Sequence, residues 1–352
     1  MILHVCSLDK FIPPFVKLIN EEFGDKDHQF WVVGVQKLKQ HPIEKADNVF
    51  FARQSVVSQI FAYVRLFFML HRAKKIIMHG LFNPRIIILL VLCPWLLGRC
   101  YWVIWGGDLY AYQNPRISLK GKIKERFRKF VIKRIGHLIT YIPGDVDLAR
   151  KWYGARGEYH ECLMYLSNVV NPQVWQGVEQ TEDTRSGLNI LVGNSADPSN
   201  NHIEALEKLL PYKEQDIKIY VPLSYGDQNH AKKVIEQGKD WFGEKFFPMV
   251  SFMPFDQYLK FLKSVDIAIF HHKRQQAMGN IITLLGMGKT VYVRRDVSHS
   301  SFLIGIDLNI KFISKFSLES LPAIELLNNA EVVRSYFSRD RLVRQFSNIF
   351  RS

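Results

Sequence analysis

Short apolar runs alternate with amphipathic stretches along most of this chain, and small polar residues gather where the runs end. The runs Ile2 to Cys6, Phe30 to Gly34, Lys75 to His79, Tyr101 to Trp105 and His137 to Tyr141 have the length and continuity of buried strands. Phe11 to Phe23, Val57 to Arg72, Pro84 to Leu97 and Lys120 to Arg134, which separate them, read as helices. From Gln176 to Gly187 the composition turns polar (QGVEQTEDTRSG), which predicts a linker. The alternation then restarts. Strands are expected at Asn189 to Val192, Ile217 to Pro222, Val265 to Phe270 and Thr290 to Arg294, with helices near Asn201 to Leu210, His230 to Phe242, Phe255 to Lys263 and Met278 to Met287. Continuously apolar strands separated by helices are covered on both faces, so the pattern predicts two doubly wound α/β domains in tandem. Their expected boundaries are 1–178 and 187–330, followed by a C-terminal helix over 331–352 that can pack back on the first domain.

A length of 352 residues supplies a core for each domain. With 47% hydrophobic and 23% charged residues, disordered and fibrous classes are excluded. The cysteines Cys6, Cys93, Cys100 and Cys162 are scattered and show no zinc spacing, so a reducing cytoplasm is expected. The first residues, MILHVCSL, read as a buried strand and not as a signal peptide. The longest apolar run, Ile86 to Gly98, lies between Arg85 and Arg99 and is too short to span a bilayer.

A net charge of +14 calls for an anionic partner. The excess concentrates in RISLKGKIKERFRKFVIKR, from Arg116 to Arg134, where Ile123, Phe127, Phe130 and Val131 fall at helical spacing. Three readings compete: a helix docked on its own domain with a solvated basic face, an anionic membrane surface met through Lys120, Lys124 and Arg128, and nucleic acid. No nucleic-acid-binding motif accompanies the charge, and that partner is not expected.

The polar punctuation at the predicted strand ends holds the candidate chemistry. In LVGNSADPSNNHIEAL, Leu191 to Leu206, an apolar strand runs into Gly193, Asn194 and Ser195, and Asn200 or Asn201 can cap a helix beginning near His202. A glycine turn opening onto a helix N-terminus offers backbone donors and a positive dipole end to a phosphate. It is equally the form of an ordinary strand-to-helix turn. Similar punctuation occurs at His79-Gly80 with Asn83, at Trp105-Gly106-Gly107-Asp108, at Pro222 with Tyr225, and at Arg274-Gln275-Gln276 ahead of Gly279-Asn280. Ligands of open α/β sheets bind beyond the C-terminal strand ends, so the expected site is a cleft between the two domains.

HGLFNP (His79 to Pro84), WVIWGGDLY (Trp102 to Tyr110), LVGNSADPSNNHIEAL, VPLSYG (Val221 to Gly226) and RQQAMGN (Arg274 to Asn280) occur in this order across both domains. As a set they resemble glycosyltransferase family 56, over roughly His79 to Arg295, with departures at Leu81, Gly107, Ala277 and Asn280. The resemblance implies a GT-B fold of two Rossmann-like domains facing a cleft. It also implies transfer of 4-acetamido-4,6-dideoxy-D-galactose, or a similar deoxy-acetamido sugar, from a dTDP donor to an undecaprenyl-diphosphate-linked oligosaccharide, as in enterobacterial common antigen. The alternative is an O-antigen or capsule transferase using a UDP- or GDP-linked sugar. Either would work at the cytoplasmic face of the bacterial inner membrane, as a peripheral protein.

Glycosyl transfer then distributes the roles. The leaving nucleoside diphosphate gains negative charge, which GT-B enzymes meet with helix N-termini and basic side chains. Gly193, Asn194, Ser195, Asn200, Pro222, Tyr225, Gly279 and Asn280 are expected around the donor. Arg274 is its cationic contact, and Gln275 and Gln276 face its ribose or base. No metal cage or cofactor motif is found, so metal-independent transfer is expected. The acceptor hydroxyl needs a base, for which Asp108 is the first candidate and His79 the second. Asn83, Trp105, Gly106 and Gly107 are expected near the acceptor, with Trp102 and Trp105 as flat surfaces for sugar faces. Two other classes stay open: a protein that binds a nucleotide sugar without transferring it, and a nucleic-acid binder using the basic helix.

Overall fold

The computed structural model describes residues 1–52, 56–113, 118–170 and 187–351; Arg116 and most of the expected linker lie outside them. The chain divides into two units, Met1–Ser167 with Arg339–Ser352, and Asn168–Ser338. The first contains β1 (Ile2–Ser7), α1 (Ile12–Phe23), β2 (His28–Val33), β3 (Val49–Phe51), α2 (Val56–Arg72), β4 (Lys75–His79) and α3 (Pro84–Leu92). It continues through β5 (Cys100–Val103), α4 (Leu119–Arg134), β6 (His137–Thr140), α5 (Pro143–Tyr153) and β7 (Glu158–Glu161). All pairings are parallel, in the order β3-β2-β1-β4-β5-β6-β7. Leu3, Val5, Ile76, Met78, Trp102 and Leu138 fill one core beneath the covering helices.

The second unit has β8 (Leu188–Val192), α6 (His202–Glu207), β9 (Ile217–Pro222), α7 (Gln228–Phe242), β10 (Phe246–Met249), α8 (Phe255–Lys263) and β11 (Ile267–Phe270). Then follow α9 (Met278–Gly286), β12 (Thr290–Val293), α10 (Ser298–Gly305), β13 (Lys311–Phe312) and α11 (Ala323–Tyr336). Its parallel sheet runs β10-β9-β8-β11-β12-β13. A last helix, α12 (Arg339–Arg351), belongs to the first unit, where Leu342, Phe346 and Ile349 are buried. In both sheets the chain winds outward from the first strand, then returns to its other side. That reversal opens a crevice at the C-terminal strand ends, between β1 and β4 in one unit and β8 and β11 in the other.

Four strands, β3, β7, β10 and β13, are not among those the apolar runs predict. Each is two to four residues long and forms a sheet edge, too short to show a period in the sequence. Helix α3 stops at Leu92 instead of Leu97 because Pro94 cannot donate to the preceding turn; Pro94–Arg99 forms 3₁₀ turns. Helix α6 is six residues, shorter than Asn201 to Leu210. Asn201 stands at its N-cap in the left-handed region (φ 50°), with no side-chain cap bond.

Candidate functional site

In the second unit the residues expected around a donor do converge, at the crevice between β8 and β11. Gly193 follows β8 at φ +72°, and a Cβ there would lie 2.7 Å from His202 Nε2 and 2.8 Å from Asn200 Oδ1, so a side chain is excluded twice. The Asn194 amide donates to Asn200 Oδ1 (3.0 Å), and His272 Nε2 donates to the same oxygen (2.7 Å). Asn194 Nδ2 donates to the Tyr225 hydroxyl (3.3 Å), while Gln276 Nε2 donates to Asn194 Oδ1 (3.2 Å). Ser199 Oγ donates to Gln276 Oε1 (2.7 Å), and Arg274 reaches Asp197 at 3.3 Å. Asn280 Nδ2 donates to the Tyr258 hydroxyl (3.0 Å) in the first turn of α9. Strands β8 and β11, loop 223–227 and helix α9 thus meet in one polar cluster.

Its electrostatics favour an anion next to Arg274. Burial pushes the Asp197 carboxyl up, but the Ser199 and Arg274 hydrogen bonds outweigh it and hold the group below its usual range. Asp197 is therefore ionised, and Arg274 is only partly neutralised by an ion pair that water reaches. The first intrahelical bond of α9 is Ile281 N to Ala277 O, so the amides of its first turn open on the same crevice. Ala277, at φ +58°, holds that turn in a left-handed conformation that costs an L residue about 1 kcal/mol.

Asn200 and Ser195 are buried and pin the turn from within, so neither side chain is presented to a ligand. Pro222 is a buried strand residue of β9. The helix after the Gly193 turn has only six residues and no side-chain cap bond at Asn201, whereas α9 runs for nine residues. Gln275 and Gly279 border the cluster, half-buried.

The first unit carries a second cluster, and there the expected base is in the wrong place. Asp108 is fully buried. One carboxylate oxygen accepts from Leu81 N (2.9 Å) and Trp102 Nε1 (2.7 Å), the other from Trp105 N (3.0 Å) and Leu109 N (3.0 Å). It ties the turn after β4 to the turn after β5, and no acceptor atom can reach it. His79 is buried as well, with Nδ1 at 2.6 Å from the Tyr165 hydroxyl and Nε2 at 3.2 Å from His4 Nδ1. Burial brings its pKa down to about 3, so it is neutral and enclosed. Asn83 caps α3, accepting from Arg85 N at 2.9 Å, and Trp102 lies in the core. Trp105 is half-exposed, and its Nε1 donates to Tyr165 (2.9 Å). Gly107 is exposed and Gly106 is buried, at φ +73°. Phe11 and Phe82 each pack edge-on to Trp105.

Asp9 was missed. It follows β1, at the crevice between β1 and β4, where Oδ1 accepts from Phe11 N (2.8 Å). Burial raises its pKa, against two backbone hydrogen bonds that pull the other way. The signal was available: SLD ends the first apolar run just as polar residues end the others. Arg128, expected on a membrane, is buried instead, bonded to Glu125 (2.8 Å) and the Tyr153 hydroxyl (2.9 Å). Lys120 and Lys124 are exposed. Among the described residues one grouping of potential metal ligands occurs, His137 with Glu158 and His160, and it belongs to neither cluster.

A family model described as 4-alpha-L-fucosyltransferase, glycosyl transferase group 56, matches residues 9–319. Among solved structures, Anabaena HepE in complex with UDP is similar with a TM-score of 0.67 at 10% identity, covering 100% of both chains. A glycosyltransferase from Rickettsia africae gives 0.63 at 12% identity, covering 99% of this chain and 97% of that one. WaaG, a glycosyltransferase involved in lipopolysaccharide biosynthesis, gives 0.56 at 11%, covering 98% and 93%. At such identities the likeness is one of fold, and it is the GT-B fold.

Proposed function

The chain belongs to glycosyltransferase group 56 and is a transferase of the GT-B type; on that premise we propose that it moves a deoxy-acetamido sugar, 4-acetamido-4,6-dideoxy-D-galactose or a close relative, from a dTDP donor to an undecaprenyl-diphosphate-linked oligosaccharide. The observation that carries the donor part is the cluster of Asn194, Tyr225, Arg274 and Gln276 beside the first turn of α9. The diphosphate takes Arg274 and the open amides of α9, which replace a divalent ion as the stabiliser of the leaving group. Gln275, Gln276 and Asn194 are left for the nucleoside. In the first unit Trp105, Phe82 and Phe11 form the acceptor's apolar wall, and Asp9 is the general base. Its raised pKa suits it to take a proton from a sugar hydroxyl.

Calorimetry with dTDP and with UDP, each with and without EDTA, tests the donor half. We expect dTDP to bind more tightly and EDTA to change nothing. Arg274→Ala should weaken dTDP binding about tenfold or more, the worth of one charge-assisted hydrogen bond. Loss of binding under EDTA would end the metal-independent reading, and full affinity in Arg274→Ala and Gln276→Ala would move the site. A second reading, a UDP-sugar donor in O-antigen or capsule synthesis, draws on HepE having been solved with UDP and with UDP-glucose. Tighter UDP than dTDP binding would select it.

An acceptor anchored in lipid has to be met at a surface, and we place this protein peripherally on the cytoplasmic face of the bacterial inner membrane. The first unit exposes Ile60, Phe61, Val64 and Phe68 on α2, Ile88 and Leu92 on α3, and Trp95 just after it. Arg85 joins α2 to α3 through Gln59 (2.6 Å), and α3 packs on the basic helix α4. Apolar side chains bordered by lysines suit a bilayer interface with anionic headgroups.

A further inference from the structure

At the edge of the first sheet three ligand-type side chains converge that the transfer reaction does not use. Strands β6 and β7 pair in parallel, His137 opposite Glu158 and Ile139 opposite His160. The two-residue strand period puts Glu158 and His160 on one face of β7, and the pairing brings His137 onto that face beside them. His137 Nδ1 lies 2.9 Å from His160 Nε2 and 3.6 Å from Glu158 Oε2, and His160 Nε2 lies 3.9 Å from the same oxygen. A tetrahedral ion with bonds of ~2.1 Å has ligand-to-ligand edges of about 3.4 Å, so these atoms need only small shifts to share one.

The surroundings hold the imidazoles in place. The Tyr101 ring stacks on His137 at 3.9 Å with an interplanar angle of 7°, and lies 5.4 Å from His160. Both imidazoles are largely covered, at 21% and 13% exposure, whereas Glu158 is 70% exposed and leaves an entry path. Lys75 is the nearby cation; its ammonium donates to Ile349 O at 2.6 Å.

We propose that His137 Nδ1, His160 Nε2 and Glu158 form a site for a borderline divalent transition ion, zinc by preference, with water in the fourth position. Imidazole and carboxylate donors without thiolate suit zinc, and the set is too poor in oxygen for magnesium. His137 and Glu158 are the first residues of β6 and β7, at the strand ends opposite the crevice. The ion therefore fastens the edge strand β7 to the sheet and takes no part in transfer.

The test uses the whole chain, stripped with chelator and titrated with zinc chloride by calorimetry, with melting followed in parallel. Binding of one ion and a higher melting temperature are expected, with no response to magnesium. Cobalt(II) should give the visible absorption of a tetrahedral site. His160→Gln and Glu158→Gln should each weaken zinc binding about tenfold or more. Glu158 is exposed, so its substitution leaves the fold intact and its loss of affinity cannot be read as unfolding. No heat and no melting shift in the wild type overturns the site, and so does unchanged affinity in both variants, which would put the zinc on other histidines.

Discussion

Two aspartates of the first unit lie at strand ends in different surroundings. Asp108 accepts four hydrogen bonds inside the protein, and Asp9 stands at the crevice with a raised pKa. Asn at position 108 would turn an amide group toward backbone or indole donors and leave some of them unsatisfied. Asp108→Asn should therefore lower stability by about 2 kcal/mol, measured by urea unfolding. Asp9→Asn should leave stability nearly unchanged and lower turnover about a hundredfold, the typical loss of a positioned acid-base group, with dTDP affinity intact. Normal turnover in Asp9→Asn would remove it as the base. Both residues follow the end of an apolar run, so sequence alone could not rank them. Whether a carboxylate is enclosed depends on what the neighbouring turn places over it.

At the scale of elements the basic helix α4 is two-sided. Arg128, Val131 and Ile132 face inward, while Lys120, Lys122, Lys124 and Arg126 face water. The amphipathic pattern located the stripe but assigned Arg128 to the wrong side, because its guanidinium is paid for by Glu125 and Tyr153. The larger apolar surface belongs to α2 and α3, where exposed Phe61, Phe68, Ile88 and Leu92 look in sequence like core residues. Each lysine close to acidic lipid contributes about 1 kcal/mol. Reversing Lys120 and Lys124 to Glu should then weaken binding to anionic vesicles by about thirtyfold or more at low salt. Phe61→Ser with Phe68→Ser should reduce the part of the binding that survives high salt. Unchanged vesicle sedimentation in both variants would mean that this face does not dock.

Across the whole molecule, buried neutral histidines are the main pH liability. Burial brings His79 and His202 down to about 3, and His28, His271 and His299 to about 4. The ordinary value is about 6.5, so between these limits the unfolded chain binds more protons than the folded one. Stability should be fully present above pH ~6.5 and fall steadily as pH drops toward 4, seen as a decreasing melting temperature. A melting temperature flat from pH 7 to 5 would mean that these rings are charged or hydrated in the folded protein. The two sheets share one strand order. Two units of one winding each bring the ends of their first and fourth strands together, and each crevice collects the polar residues that sit there.

The alternation of apolar runs with helices determined the α/β class, the tandem arrangement and most strand positions, because a strand covered on both faces has to be apolar along its whole length. Glycines at strand ends likewise marked the turns: Gly193 leaves no room for a Cβ, a constraint local enough to be read directly. The short strands β3, β7, β10 and β13 were not legible, since two to four residues are too few to show a period. Nor was the standing of the polar residues in those turns. His79, Asp108, Ser195 and Asn200 look the same in sequence as Asn194, Tyr225, Arg274 and Gln276, yet the first four are enclosed and the others remain at least partly open. Only tertiary structure decides this, because burial of a polar group depends on donors brought from distant segments, as Leu81 is brought to Asp108.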